Sequence, residues 1–171
     1  MAEIDDANTH SSQLYVCAVQ PTLRRDDESP LDALYRILES LKRIQQTTKE
    51  RIDLFVLPEL SPIGYSEDTF DRFLPNTSIN KDLQRQIDQA FADLARSSSV
   101  YISYGCIGCI QTTTTTSSSV PKNTREESFT IRQKVVNPLG IEIAVYDKTY
   151  LCDYGYVRIY FVTNIIMRIL L

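Results

Sequence analysis

Apolar residues along this chain follow two rhythms, one of strands and one of helices. Leu14 to Gln20 is apolar on both alternating faces, with Leu14, Val16 and Ala18 against Tyr15, Cys17 and Val19. A strand covered on both sides reads this way, which favours an α/β sheet with helices on a face. Ile52, Leu54, Phe55, Val56 and Leu57 form a second short buried strand. Pro58 stops it, because proline has no N–H for a strand ladder. Between the two, Ser29 is a capping hydroxyl followed by Pro30 at the first helical position. Leu31, Leu34, Ile37, Leu38, Leu41 and Ile44 then recur at steps of three and four, as one apolar helical stripe requires. Strand, helix and strand together predict a right-handed βαβ unit.

A second stripe, Leu83, Ile87, Ala90, Phe91 and Leu94, predicts a helix from Asn80 to Arg96, ended by Ser97-Ser98-Ser99. Val100 to Ile110 is a third strand, again apolar on both faces. Then the period changes. Phe129, Ile131 and Val135 alternate with Thr130, Arg132 and Lys134, and Ile141, Ile143 and Val145 alternate with Glu142 and Ala144. The turn residues Asn137-Pro138-Leu139-Gly140 lie between them, which predicts an antiparallel hairpin with one wet face beside the buried strands.

Three stretches fall outside these rhythms. Residues 1–12 read as a mobile polar leader. The unbroken threonine and serine run Thr112 to Ser119 has nothing to bury, so 112–127 is expected to be a flexible insertion between two strands. The alternative for that run is a phosphorylated or sugar-bearing tract. Residues 156–171 are apolar but interrupted by Arg158, Asn164 and Arg168, short of the ~20 apolar residues of a spanning helix. They are read as a last element over the sheet or, preferentially, as a tail foreign to the domain, such as an altered reading frame would produce.

Composition narrows the partners more than the fold. The chain has 171 residues, 43% hydrophobic and 23% charged, enough for one domain with a real core. A net charge of −4 without a Lys/Arg cluster argues against nucleic acid, and no segment argues for a membrane. The acidic first residues do not form a secretory signal, so a cytoplasmic, reducing compartment is expected and the sequon Asn76-Thr77-Ser78 carries no glycan. The single histidine, His10, lies in the leader, which excludes a Ser-His-Asp relay and a multi-histidine metal site.

One carboxylate stands out. Glu59 follows Pro58 at the carboxyl end of a buried strand, the edge at which ligands bind in open α/β sheets. Ser61, Pro62 and Gly64 then turn the chain away. Lys148 lies at the exit of the hairpin's second strand. If that strand runs parallel to Ile52–Leu57, the two charges emerge at one sheet edge, and that is the expectation.

Leu57-Pro58-Glu59 with Gly64-Tyr65 resembles the acid-bearing motif of the nitrilase-like carbon–nitrogen hydrolases. Val145-Tyr146-Asp147-Lys148-Thr149-Tyr150-Leu151 is similar to that family's lysine motif, and Val16-Cys17-Ala18-Val19-Gln20 to its first strand. The resemblance covers residues 13–155 in the family's order. It implies an amino-terminal part of an α-β-β-α sandwich, in which two sheets pack face to face with helices outside. It also implies hydrolysis of a non-peptide C–N bond in a small-molecule amide or nitrile through a thioester, with no cofactor and no metal. By resemblance Glu59 is the base and acid and Lys148 stabilises the developing negative charge.

The family's nucleophilic cysteine, downstream of the lysine, and its second supporting glutamate have no counterpart, since no acidic residue follows Asp153. Among the four cysteines, Cys17 reads as a small core residue. Cys106 and Cys109 form a C-x-x-C on a strand, where residues three apart point to opposite faces, so two inert thiols are expected over a redox or zinc pair. Cys152, four residues after Lys148, is the one candidate substitute nucleophile. Tyr65, Glu67 and Asp68 are pocket-lining candidates or solvated turn residues.

Two functions follow. One is a carbon–nitrogen hydrolase domain of which this chain is a part, inactive by itself. The other is a catalytically silent scaffold or assembly subunit of the same fold. Half a sandwich exposes one sheet face, so self-association is expected.

Overall fold

The computed structural model describes residues 13–64, 72–113 and 125–148. Its elements are β1 (Val16–Ala18), α1 (Pro30–Thr47), β2 (Leu54–Val56), α2 (Ser78–Ser98), β3 (Tyr101–Thr113), β4 (Arg125–Val136) and β5 (Glu142–Asp147). The five strands form one sheet whose spatial order is also the chain order. β1, β2 and β3 are parallel, and β4 is antiparallel to both β3 and β5. β5 therefore runs in the same direction as β2, as the placement of Lys148 requires.

Local chemistry sets the helix ends. The Ser29 hydroxyl accepts the Asp32 N–H and donates to the Asp32 carboxylate, and Pro30 occupies the first turn, where its missing N–H costs nothing. Thr77 caps α2 through Asn80 N–H. α2 begins two residues earlier and ends two residues later than the stripe predicted. It closes on Ser99, which adopts a left-handed conformation (φ 54°) and donates its N–H to Ala95 O.

The core lies between the two helices and one face of the sheet. Leu34, Ile37, Leu38 and Leu41 of α1 and Ile87, Phe91, Leu94 and Ala95 of α2 are buried with Phe55, Ile102 and Tyr104 of the sheet. The Phe91 and Tyr104 rings stack at 4.3 Å between centroids. Partners across the sheet, Cys17, Phe55, Ile102 and Val136, share this face. An α/β fold with helices packed on a sheet is thus present, and the described residues contain a single sheet.

Three expectations need correction. β1 is shorter than Leu14–Gln20 and is not covered on both sides, since Val16 is 53% exposed. It is an edge strand, and its apolar positions on the side away from Cys17 meet solvent. The β3–β4 ladder continues to Thr113↔Arg125, so both ends of the expected 112–127 insertion belong to paired strand. Threonine is β-branched and extends a ladder readily. Residues 114–124 lie outside the described residues, as do the leader and the tail from 149.

The third correction concerns the hairpin's wet face. Thr130 is only 3% exposed, and Lys134 is drawn in beneath α2 by Asp88, whereas Ile143 and Val145 of β5 are exposed. Alternation separates two faces but does not say which one a helix will cover. Among the described residues no helix is long and apolar enough to cross a membrane.

Candidate active site

The segment after β2 is a tight main-chain loop. Leu57 N–H still pairs with Ser103 O of β3 at 2.9 Å. Pro58 then ends the ladder, and the Ser61 hydroxyl donates back to Pro58 O at 2.6 Å. Ile63 and Gly64 both donate to Leu60 O. Leu60 holds φ 52° and Gly64 φ 108°, so the reversal uses two left-handed residues, one of them the residue type that takes the conformation without strain. Leu60, Ser61 and Ile63 are buried, which anchors the loop. From the other side Arg24 donates to Ile63 O at 2.6 Å and to Glu28 O. Glu28 is itself held by Arg36, whose hydrogen bond draws the Glu28 carboxyl below its usual range.

Lys148 arrives from β5 at the same rim. Its ammonium stands 3.2 Å from Glu59 Oε2, across 89 residues of sequence. The side chains are 27% exposed for Lys148 and 43% for Glu59, so the pair is partly open to an incoming molecule. Lys148 N–H donates to Ile131 O, and the Thr130 hydroxyl donates to Lys148 O at 3.2 Å. One residue earlier, Asp147 makes a two-point ion pair with Arg132 at 2.6 and 2.8 Å. That hydrogen bond lowers the Asp147 carboxyl and raises the Arg132 guanidinium. A fixed carboxylate beside a fixed ammonium provides a proton acceptor and a stabiliser of developing negative charge within one reacting distance.

A second charged group lies under α2. Lys134 bridges Asp88 (2.8 Å) and Glu142 (3.1 Å), and the Tyr104 hydroxyl donates to Asp88 at 2.9 Å. Burial is the largest single influence on Lys134 and pulls it down, but its bond and charge attraction to Asp88, with smaller help from Cys106 and Glu142, together outweigh it and the net shift is upward. Cys106 is buried beside this group, and burial pushes its thiol up to about 12, which suits an inert thiol. Cys17 and Cys109 are half-buried and free, and Cys17 packs against the core. Cys152, Tyr65, Glu67 and Asp68 lie outside the described residues.

Several residues at the rim carry no signal in the hydrophobic periodicity. Gln133 of β4 donates to Leu57 O (3.3 Å) and to Ser103 Oγ (2.9 Å), tying the end of β2 to the centre of the sheet. The alternation along β4 assigns Thr130 and Arg132 to the wet face, yet they fix Lys148 and its neighbour. Gly105 on β3 is the backbone support beneath Glu59. A glycine inside an otherwise apolar strand was the available signal, since it marks close approach of another backbone.

With this geometry in place, comparison with solved structures defines the class of fold. The described sheet and helices are similar to part of the fold of an amidase from the nitrilase superfamily. An amidase from Nesterenkonia sp. superposes with a TM-score of 0.58 at 18% identity, over 81% of this chain and 44% of that one. A carbon–nitrogen hydrolase from Helicobacter pylori G27 gives a TM-score of 0.58 at 17% identity, over 84% of this chain and 42% of that one. A variant of the Nesterenkonia AN1 amidase carries acrylamide added at its active-site cysteine and superposes at 0.59 with 16% identity, over 82% of this chain and 46% of that one. The chain thus spans less than half the length of these structures. Neither a family model nor a curated protein matches it by sequence.

Proposed function

We propose that this chain carries the glutamate–lysine half of a carbon–nitrogen hydrolase site acting on a small-molecule amide or nitrile. The observation that carries the reading is the 3.2 Å approach of Lys148 Nζ to Glu59 Oε2 at the carboxyl ends of β5 and β2, on this fold. In the reaction a thiol sulfur bonds to the substrate carbon while its proton passes to Glu59. The charge that develops on the substrate's oxygen or nitrogen faces Lys148. For an amide, the C–N bond then breaks, Glu59 returns the proton to the leaving amine, and water cleaves the thioester.

The thiol is the part this chain does not supply among its described residues. Cys106 is buried and held protonated, and Cys17 and Cys109 are half-buried on β1 and β3. Cys152, close in sequence to Lys148, is the remaining cysteine. The chain alone is therefore expected to be inactive, with the nucleophile contributed by sequence beyond these residues in an intact enzyme, where the second sheet of an α-β-β-α sandwich would also come from. Purified chain incubated with simple amides should release no ammonia above a Glu59→Gln control. Turnover that disappears in Glu59→Gln, and in Cys152→Ser, would assign Cys152 as the nucleophile and end the inactive reading.

A specific observation favours a second reading, the assembly subunit. Val16 on one edge strand and Ile141, Ile143 and Val145 at the other edge are exposed large apolar residues. Light scattering of the purified chain should give a mass above that of one copy. A monodisperse single copy would remove this reading.

A further inference from the structure

Glycine in a strand interior weakens the strand, so its presence at a central position calls for a reason. At Gly105 the reason is measurable. A Cβ built there would lie 2.6 Å from Glu59 Cα, 2.7 Å from Leu60 N and 3.0 Å from Glu59 C. All three are main-chain atoms of the loop that bears the carboxylate, and they cannot swing aside as a side-chain tip can. Glu59 therefore rests directly on β3. Gln133, the cross-strand partner of Gly105, holds Leu57 O two residues before Glu59. On the other side of the pair, Thr130 is buried, and its hydroxyl donates to Lys148 O. Each of these contacts is to main chain next to a reacting head group rather than to the head group itself.

We propose that Gly105 and Thr130 are positioning residues: Gly105 sets the height of Glu59 above β3, Thr130 sets the exit of Lys148 from β5, and together they fix the carboxylate–ammonium separation. The inference rests on the reading of Glu59 and Lys148 as a working pair.

Its test reads that separation without requiring turnover. A water-soluble carbodiimide converts a carboxylate to an O-acylisourea. A neighbouring amine then attacks the acyl carbon, the amide C–N bond forms, the C–O bond to the isourea breaks, and urea leaves with the elements of water. The full chain would be treated with carbodiimide, digested and analysed by mass spectrometry for the Glu59–Lys148 isopeptide. The Asp88–Lys134 isopeptide reports the fold on the other face, because that pair is 2.8 Å apart under α2. Wild type should yield both. Gly105→Ala should lower the Glu59–Lys148 product at least about tenfold, toward the ~100-fold loss that a misplacement of ~1 Å can cause in a proximity-driven reaction, and leave Asp88–Lys134 unchanged. Thr130→Val should lower the first product about twofold on loss of one hydrogen bond, and Thr130→Ser should restore it.

No Glu59–Lys148 product in wild type would remove the pair itself and the functional reading with it. A full yield of that product in Gly105→Ala with the control retained would overturn the positioning inference alone. If Gly105→Ala loses both products through unfolding, Thr130→Val decides, and undiminished cross-linking there overturns the proposal.

Discussion

Glu59 and Lys148 reach the same point by different means. Glu59 is held chiefly by main chain: a proline stop, two left-handed residues, a hydroxyl folded back on Pro58 O and direct contact with Gly105. Lys148 is held by side chains of β4, with Arg132 gripping Asp147 and Thr130 reaching Lys148 O. The first frame is steric and insensitive to ionisation. The second is charged and depends on pH and salt. A site assembled from both should lose its lysine arm before its glutamate arm as acid is added.

The largest effect is expected where both frames share support. Phe91 is fully buried and stacked on Tyr104 beneath the sheet. Phe91→Ala should cost about 3–5 kcal/mol of unfolding free energy, measured by urea titration, and should loosen both arms. A cost below ~1 kcal/mol would mean that this helix–sheet layer does not carry the rim.

A smaller effect separates the two frames. Arg132→Gln leaves Asp147 without its two-point partner, at a cost of about 1 kcal/mol at neutral pH for a partly exposed pair. The arginine depresses the Asp147 carboxyl in the folded chain. Its contribution is therefore fully present above the ordinary carboxylate range and is lost as pH falls through the lower folded value. The stability gap between wild type and Arg132→Gln should close on acidification from pH 6 toward pH 2, followed by thermal unfolding. A gap independent of pH would show that the guanidinium acts by packing alone. The smallest change belongs to neither frame: Lys42→Ala removes an exposed pair with Glu39 and should shift stability by no more than about 0.5 kcal/mol.

These differences also explain what the sequence revealed. Both helices were legible because capping and periodicity are local: Ser29-Pro30 fixes one start, and the stripes through Leu41 and Phe91 fix the buried faces. The meeting of Glu59 and Lys148 was legible because parallel strand direction follows from the order of strands, helices and one hairpin. The supports were not. Whether Thr130 faces water depends on where α2 lies over the sheet, which is a tertiary choice. Gly105 is silent in any hydrophobic pattern because its role is the side chain it lacks. β1 misled for the opposite reason, since an apolar run such as Leu14 to Val19 does not say whether a neighbour covers it.

The strictly sequential strand order carries a consequence for biosynthesis. Each segment leaving the ribosome adds to a margin already laid down, with no gap held open for a later arrival. Glu59 is therefore seated as soon as β3 emerges, whereas Lys148 joins only when the hairpin closes. A chain cut short between residues 113 and 125 and released from the ribosome would keep the strand that seats Glu59 and lack the hairpin that brings Lys148.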